Sequence, residues 1–296
     1  MRTTLKLEED GLTVALRYIQ KLNDPRIRYF RHRQNIGPGY SWNRGVELAS
    51  GKWVAFLHDD DVLYPDAIKN LGRIISYFEG SKRPLGYIHA RRDQFSDSRQ
   101  LLHLKHSYVP YFEPLTRTRA LIRGESGTGV PSCGTAILRQ AYLETGGVNY
   151  DMGLTADAVL GYQIMSRYQV VVSDTALGAY RWAENETLKR NSLLELVHSD
   201  WLFALYRYGR TPGSRLWGKL FQKCEYSENI RYKIRDGHRK KIELTPSDFD
   251  EICPYRRPNP IVLLAYKLLQ RAYSQVQAVK ARIRYVSILH SYSRNS

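Results

Sequence analysis

Three consecutive aspartates, Asp59 to Asp61, follow a short and nearly all-apolar run at 52–57. Such a run predicts a buried strand, and Pro65 predicts that a helix begins shortly after the acidic loop. In an open α/β sheet, ligands bind beyond the carboxyl ends of the strands. Neighbouring carboxylates repel one another, so Mg²⁺ or Mn²⁺ would stabilise them and leave positions for phosphate oxygens. A solvated acidic turn that caps the next helix is the alternative.

The elements that must position this loop alternate between helix and strand. Helices are predicted at 11–22, 41–49, 66–78 and 156–167, strands at 27–30, 52–57, 87–90 and 169–172, and a strand running into a helix at 134–144. This alternation indicates an α/β fold with an open sheet. Beyond about residue 190 long helical patterns replace it, and residues 191–296 hold 19 Lys and Arg against 9 Asp and Glu. We therefore predict an α/β domain at 1–190 and a basic, mainly helical extension at 191–296.

The composition is that of a globular protein, with 43% hydrophobic and 25% charged residues, but the formal net charge is +16. Such a balance suggests a polyanionic partner: nucleic acid, an anionic membrane surface or a phosphorylated substrate. No helix-turn-helix, RNP-type or zinc-finger pattern accompanies the charge, which argues against nucleic acid. The three cysteines show no disulfide or metal-ligand spacing, and no signal peptide is visible, so a cytoplasmic location is expected.

The motifs around the acidic loop resemble the signature of family 2 glycosyltransferases of the GT-A type. The two Asn-x-Gly motifs at 35–37 and 43–45, the run at 49–57 and the acids at 59–61 follow one another at the spacing of that family. The resemblance implies a GT-A-like open mixed sheet flanked by helices. It also implies that Mn²⁺ or Mg²⁺ is held by Asp59, Asp60 and Asp61, and that the sugar-nucleotide donor contacts Asn35, Gly37, Asn43, Arg44, Asp59 and Asp60. His58 stands where many members carry the first acid of the motif.

A second match lies further along the chain, where residues 133–147 resemble the acceptor-side strand and helix of the same family. Thr155-Ala156-Asp157 then stands where the family usually places Glu-Asp. The resemblance implies that Asp157 is the general base, which takes the proton of the acceptor hydroxyl. Taken by itself, without the resemblance, Asp157 fits better as a surface acid near a helix N-terminus, where negative charge is favourable.

The segment Tyr180-Arg181-Trp182 resembles the closing Tyr-Arg segment of the family and implies that Arg181 contacts the diphosphate of the donor. An ion pair between Arg181 and Glu184 or Glu186 is the alternative. Gly178 occupies the position of the glutamine in the Gln-x-x-Arg-Trp motif of processive family members, which favours addition of a single sugar.

The expected function is inverting, metal-dependent transfer of a sugar from a nucleotide-diphospho-sugar to a saccharide or lipid-linked acceptor, in surface polysaccharide or glycolipid synthesis. A non-catalytic binding or scaffold protein is the alternative. The resemblance covers about residues 13–190 and predicts that the usual N-terminal strand–helix–strand is lacking. A basic amphipathic pattern at 261–286 predicts peripheral contact with the inner face of the membrane. A helix packed on the catalytic domain, with its basic face in water, is the other interpretation of that pattern.

Overall fold

The computed structural model describes residues 16–101, 112–115, 133–181 and 259–272, together with positions 194, 195, 199, 224, 230, 234, 235, 245, 275, 276 and 279. The chain divides into two compact units, Met1–Pro38 and Gly39–Ser296. The predicted boundary near residue 190 falls outside the described residues and remains a prediction.

In the first unit, residues 16–22 are helical, which agrees with the described part of the helix predicted at 11–22. The helix ends at Asn23, which has a φ of 45° and donates its N–H to the carbonyls of Ile19 and Gln20. The strand predicted at 27–30 is wrong, because these residues have no regular secondary structure. An apolar run forms a strand only where a neighbouring strand satisfies its backbone groups, and no described strand pairs with this run.

The described helices and strands from Pro38 onward follow the predicted alternation. In chain order they are α1 (Pro38–Leu48), β1 (Trp53–Ala55), β2 (Val62–Leu63), α2 (Ala67–Tyr77), β3 (Leu85–Phe95), α3 (Ser98–Leu101), β4 (Phe112–Leu115), β5 (Thr135–Leu138), α4 (Arg139–Glu144), a 3₁₀ segment (Tyr150–Thr155), α5 (Ala156–Arg167) and β6 (Gln169–Arg181). A further helix covers 260–272. The predicted fold class, an α/β protein with a mixed sheet flanked by helices, is confirmed.

The strands form one six-stranded mixed sheet in the order β1-β5-β3-β6-β2, with β4 also pairing with β6. β3 and β6 are parallel, whereas β5 runs antiparallel to both β1 and β3. β4 and β2 both pair antiparallel with β6. β4 pairs with the first half of β6, and β2 pairs near the end of β6. The carboxyl ends of β1, β3 and β6 therefore point toward the same edge of the sheet.

Helices cover both faces of the sheet because apolar side chains alternate along the central strands. On one face, the neighbours Tyr87, Ile137 and Val170 pack in a core with α4 and α5. On the other face, the next residues along the same strands pack against α2; these are Ile88, Ala136 and Val171. The two cores hold the sheet rigid, so its edge can present side chains in defined positions.

The helix at 260–272 is the described part of the basic pattern predicted at 261–286. Every described position from 260 to 279 is helical. Ile261, Leu264 and Leu268 are 76%, 58% and 54% exposed, and their spacing places them on one side of the helix. Among the described residues, no helix has the length and apolar character needed to cross a bilayer.

Candidate active site

The acidic loop leaves β1 after Ala55 and turns before it enters β2. The Asp61 N–H donates to the His58 carbonyl at 3.2 Å, which closes a turn over residues 58–61. This turn brings the side chains of His58 and Asp61 to the same side, because its first and last residues lie close together. The local sequence therefore predicts the loop but not which of its side chains converge.

Asp61 is the most enclosed acid of the loop, with a side chain that is 0% exposed. One carboxylate oxygen, Oδ1, accepts the backbone N–H of Arg181 at 3.1 Å. The other, Oδ2, lies 3.9 Å from Nδ1 of His58. A buried carboxylate is costly unless hydrogen bonds or a cation compensate its charge. Asp61 thus has one described backbone donor, and its second oxygen faces an imidazole.

Asp60 completes a group of three potential metal ligands. Single ligand atoms of His58, Asp60 and Asp61 all lie within 4.8 Å of one another. Two carboxylates and an imidazole form a donor set that suits a divalent transition ion such as Mn²⁺. The structure thus joins two of the three predicted acids and adds His58, which sequence reasoning did not assign as a ligand. Asp59 lies outside this group, and its predicted metal and donor contacts remain predictions.

Arg181 reaches the acidic loop from the end of β6. Its Nε donates to the Asp60 carbonyl at 3.1 Å, and its guanidinium lies 4.9 Å above the centre of the Phe95 ring. Within the described ranges, no hydrogen bond uses its terminal amino groups. The predicted partners Glu184 and Glu186 lie outside the described residues.

The pairing of β2 with β6 is what brings Arg181 to this loop. Val62 and Leu63 pair with Ala179 and Gly178. A Cβ added at Gly178 would lie 2.3 Å from the Val62 carbonyl oxygen. Because a side chain at this position would separate the two strands, the close pairing requires glycine. This gives a structural reason for the glycine that stands at the glutamine position of the Gln-x-x-Arg-Trp motif.

Asp157, the predicted base, lies in the first turn of α5 and is partly buried. Burial raises its pKa to about 6, although a hydrogen bond from the Ala158 N–H at 2.7 Å and the nearby charge of Arg92 both oppose the shift. The carboxylate also lies close enough to Tyr87 to raise the pKa of that phenol further, beyond the larger effect of burial. A carboxyl group with a pKa near neutrality is suited to accept a proton at physiological pH.

The charge of Arg92, which acts on Asp157, also acts on His89 of β3. Burial, and then the positive charge of Arg92, lower its pKa to about 4, so the imidazole is neutral at pH 7. The sequence analysis singled out neither His89 nor Arg92, because neither residue belongs to a motif. Arg92 comes near Asp157 only when α5 packs on β3, and no local pattern carries that information.

Asn43, a predicted donor contact, makes its described hydrogen bonds to the protein itself. Its Oδ1 accepts from the Tyr142 hydroxyl at 2.6 Å and from the Val148 N–H at 2.9 Å, while its Nδ2 donates to the Val148 carbonyl at 3.0 Å. The turn beside it needs glycine, since Gly147 has a φ of +74° and an added Cβ would lie 2.4 Å from Asn43 Oδ1. These contacts give Asn43 a structural role between α1 and the turn after α4.

We expect Asn43→Ala to destabilise the fold by about 2–4 kcal/mol, because it leaves a hydroxyl, an N–H and a carbonyl without partners. The midpoint of thermal unfolding should fall by roughly 5–10 °C. Arg44→Ala is the matched control, since Arg44 is exposed and its described ion pair is with Glu47 at 2.9 Å on the same helix. That variant should change stability by less than about 0.5 kcal/mol. Equal stability of the two variants would contradict the structural role of Asn43.

The remaining predicted donor contacts are only partly located. Asn35 and Gly37 belong to the unit Met1–Pro38. Within it, Asn35 Oδ1 accepts the Gly37 N–H at 2.9 Å, and Gly37 has a φ of +82° that favours glycine. The donor contacts predicted for Asn35, Gly37 and Arg44 remain predictions.

Part of the chain is similar to known glycosyltransferases. Residues 8–147 match the family described as Glycosyl transferase family 2. An uncharacterized glycosyltransferase of Rickettsia felis is 41% identical over 63 residues, which are 21% of this chain and 10% of that protein. The succinoglycan biosynthesis protein ExoO of Rhizobium meliloti is 36% identical over 53 residues, or 18% of this chain and 15% of ExoO. The chain thus aligns with only a small part of the length of these relatives.

The fold also has a counterpart among solved structures. The crystal structure of S. aureus TarS 1-349 superposes with a TM-score of 0.52 at 14% identity, covering 97% of this chain and 79% of that one. The matched segment, residues 8–147, contains the acidic loop, and the predicted resemblance to family 2 glycosyltransferases is confirmed by that match. The superposition shows that the chain also has the fold of this solved structure.

Proposed function

We propose that this protein transfers a sugar from a nucleotide-diphospho-sugar to an acceptor hydroxyl, with inversion at the anomeric carbon and with the help of a divalent ion. The observation that carries the proposal is the convergence of His58, Asp60 and Asp61 within the segment that matches family 2 glycosyltransferases. Arg181, from beyond that segment, lies beside them. A metal-ligand group next to a phosphate-binding cation is the arrangement that a nucleotide-sugar donor requires.

In this proposal, the acidic loop and Arg181 bind the diphosphate of the donor. Asp60 and Asp61 would hold Mn²⁺ or Mg²⁺, which when bound neutralises charge on the departing diphosphate. The terminal amino groups of Arg181 are suited to hold phosphate oxygens in a bidentate manner. The Nε bond to Asp60 and the contact with Phe95 fix the guanidinium before the donor arrives, so less conformational freedom is lost on binding.

In this proposal, Asp157 is the general base that takes the proton of the acceptor hydroxyl. In the proposed step, the acceptor oxygen forms a bond to the anomeric carbon as the bond from that carbon to the diphosphate breaks. The hydroxyl proton passes to the Asp157 carboxylate, and the nucleoside diphosphate leaves. Burial supports this role, since it raises the pKa of Asp157 to about 6 and thereby makes the carboxylate a stronger base than an exposed aspartate.

The setting is proposed from one relative and from the C-terminal helix. ExoO is by name a protein of succinoglycan biosynthesis, which favours a saccharide or lipid-linked acceptor in surface polysaccharide or glycolipid synthesis here. The exposed apolar residues of 260–272, together with Lys267 and Arg271 and the +16 net charge, favour contact with an anionic membrane at its cytoplasmic face.

We expect the protein to cosediment with vesicles that contain anionic phosphatidylglycerol, and to do so at least tenfold more weakly with phosphatidylcholine alone. The double variant Leu264→Ser and Leu268→Ser should lose about tenfold in vesicle binding, because each change removes apolar area that the bilayer would cover. Ile68→Ser is the matched control, since Ile68 is 67% exposed on α2. Equal losses from both variants would argue against a membrane-contacting helix.

The experiment that tests the proposed function is a thermal-shift series with UDP, GDP and dTDP, each with Mn²⁺ and with EDTA. A nucleotide present at about 100 times its Kd should stabilise the fold by about 2.7 kcal/mol, and it should do so only with the metal. The stabilising nucleotide also identifies the base of the donor. If the folded protein responds to none of the three, a non-catalytic binding or scaffold role is the better explanation.

A further inference from the structure

The imidazole of His58 is held in place by Trp42, which is itself packed against Phe56. Its ring stacks on that of Trp42, with centroids 5.8 Å apart and an angle of 9° between the planes. Trp42 in turn packs edge-on against Phe56, with centroids 5.9 Å apart. These contacts come from α1 and from the segment that leaves β1. The ring is therefore oriented by packing before any ligand binds.

Neither ring nitrogen of His58 has a described hydrogen-bond partner. Nδ1 lies 3.9 Å from Asp61 Oδ2, which is too long for a hydrogen bond. Nε2 is buried, and among the described residues nothing bonds to it. A buried polar nitrogen without a partner is uncommon and costs free energy of folding. The ring is thus packed firmly, and Nδ1, the nitrogen that faces Asp61, makes no described hydrogen bond.

The distances between the potential ligand atoms of His58, Asp60 and Asp61 would allow all three to bind one cation. Two ligand atoms that each lie about 2.1 Å from one ion are at most about 4.2 Å apart. The distance of 3.9 Å from Nδ1 to Asp61 Oδ2 is within that limit. The whole group, with Asp60, spans 4.8 Å and needs to contract by less than about 1 Å to enclose an ion.

We propose that His58 is a nitrogen ligand of the divalent ion, so that the donor set combines one imidazole with the carboxylates of Asp60 and Asp61. This inference rests on the metal site of the proposed function and names the residue that determines its metal preference. Imidazole favours transition ions, whereas Mg²⁺ prefers oxygen ligands. The site should therefore bind Mn²⁺ and Co²⁺ more tightly than a site of carboxylates alone, relative to Mg²⁺.

The test is electron spin-echo envelope modulation of the full chain loaded with Mn²⁺ alone. We expect ¹⁴N modulation from a coordinated imidazole, and we expect ¹⁵N-histidine labelling to replace it. His58→Asp should remove the signal while Mn²⁺ still binds. His32→Gln is the matched control at another histidine and should leave the signal unchanged.

Affinity provides the second measurement. The ratio of the Mg²⁺ Kd to the Mn²⁺ Kd should fall at least tenfold in His58→Asp, because the new site has oxygen ligands only. Bound Mn²⁺ that depends on Asp60 but shows no ¹⁴N modulation would overturn the role of His58 and leave the metal site of the proposed function intact. Failure of Mn²⁺ to bind with or without a nucleotide would overturn both.

Discussion

We expect Asp157→Asn to lower the rate of sugar transfer by at least about 100-fold, while the protein still binds the nucleotide and a divalent ion. Loss of a general base typically lowers the rate by about 10²–10⁴-fold. The change is isosteric and leaves the acidic loop untouched, so thermal stabilisation by the nucleotide and Mn²⁺ should persist. The measurement is release of nucleoside diphosphate from the donor whose nucleotide stabilises the protein. Full activity of the variant would remove Asp157 from the mechanism.

The same substitution should stabilise the fold at neutral pH. The pKa of Asp157 is raised to about 6 in the folded protein, whereas the pKa of an aspartate in the unfolded chain is near its ordinary value of 3.8. Ionisation is therefore harder in the folded state, and the stability of the native protein falls as pH rises from about 4 to 6. A shift of about two pKa units corresponds to about 3 kcal/mol at pH 7.

Asn cannot ionise, so the variant should unfold at a higher temperature than the native protein at pH 7.5 and at a similar temperature near pH 4. Asp151→Asn provides a control, since Asp151 is exposed in the preceding 3₁₀ segment. It should change neither activity nor the pH dependence of stability by much. A destabilised Asp157→Asn protein at pH 7.5 would contradict the burial of this carboxyl group.

Activity should follow the same ionisation. The carboxylate is the reactive form, so kcat/KM should rise about tenfold per pH unit below about pH 6 and become constant above it. The pH dependence of kcat/KM reports the pKa of Asp157 in the free enzyme. This pKa can therefore be compared with the one obtained from the pH dependence of stability.

We expect Asp60→Asn to weaken metal binding severely and Asp59→Asn to leave it nearly unchanged. Asp60 belongs to the group of ligand atoms that spans 4.8 Å, and Asp59 does not. Partners outside the first coordination sphere already contribute about 10- to 100-fold to metal affinity, so loss of a direct ligand should weaken Mn²⁺ binding by about 100-fold or more. Transfer should fall by a comparable factor, since the donor would lose its counter-charge.

The two aspartates form a matched pair because they are adjacent and chemically identical. Asp60→Asn also keeps the backbone carbonyl that accepts from Arg181 Nε, so the loop should retain its shape. Titration with Mn²⁺, followed by its electron paramagnetic resonance signal, measures the affinity directly. A severe loss in Asp59→Asn with none in Asp60→Asn would identify Asp59 as the ligand instead.

Local sequence signals were enough to predict most of the elements and the positions of the acids. Helix α5 begins and ends where the pattern at 156–167 places it, because a 3.6-residue period of apolar residues is a local property. The apolar run before Asp59 predicted β1, and β1 covers its middle residues, Trp53–Ala55. The same spacing of motifs predicted the resemblance to family 2 glycosyltransferases, and residues 8–147 match that family.

Contacts between distant segments decided the rest. Asp61 and Arg181 meet only because β2 pairs with the end of β6. The Asn43 side chain accepts a hydrogen bond from the N–H of Val148, 105 residues away. The run at 27–30 has strand-like residues but no described partner strand, while β6 extends to Arg181, well beyond its predicted end at 172, because β3 and β2 pair along it. Hydrogen-bond partners, burial and the resulting pKa of Asp157 depend on which surfaces meet, and that is a property of tertiary packing.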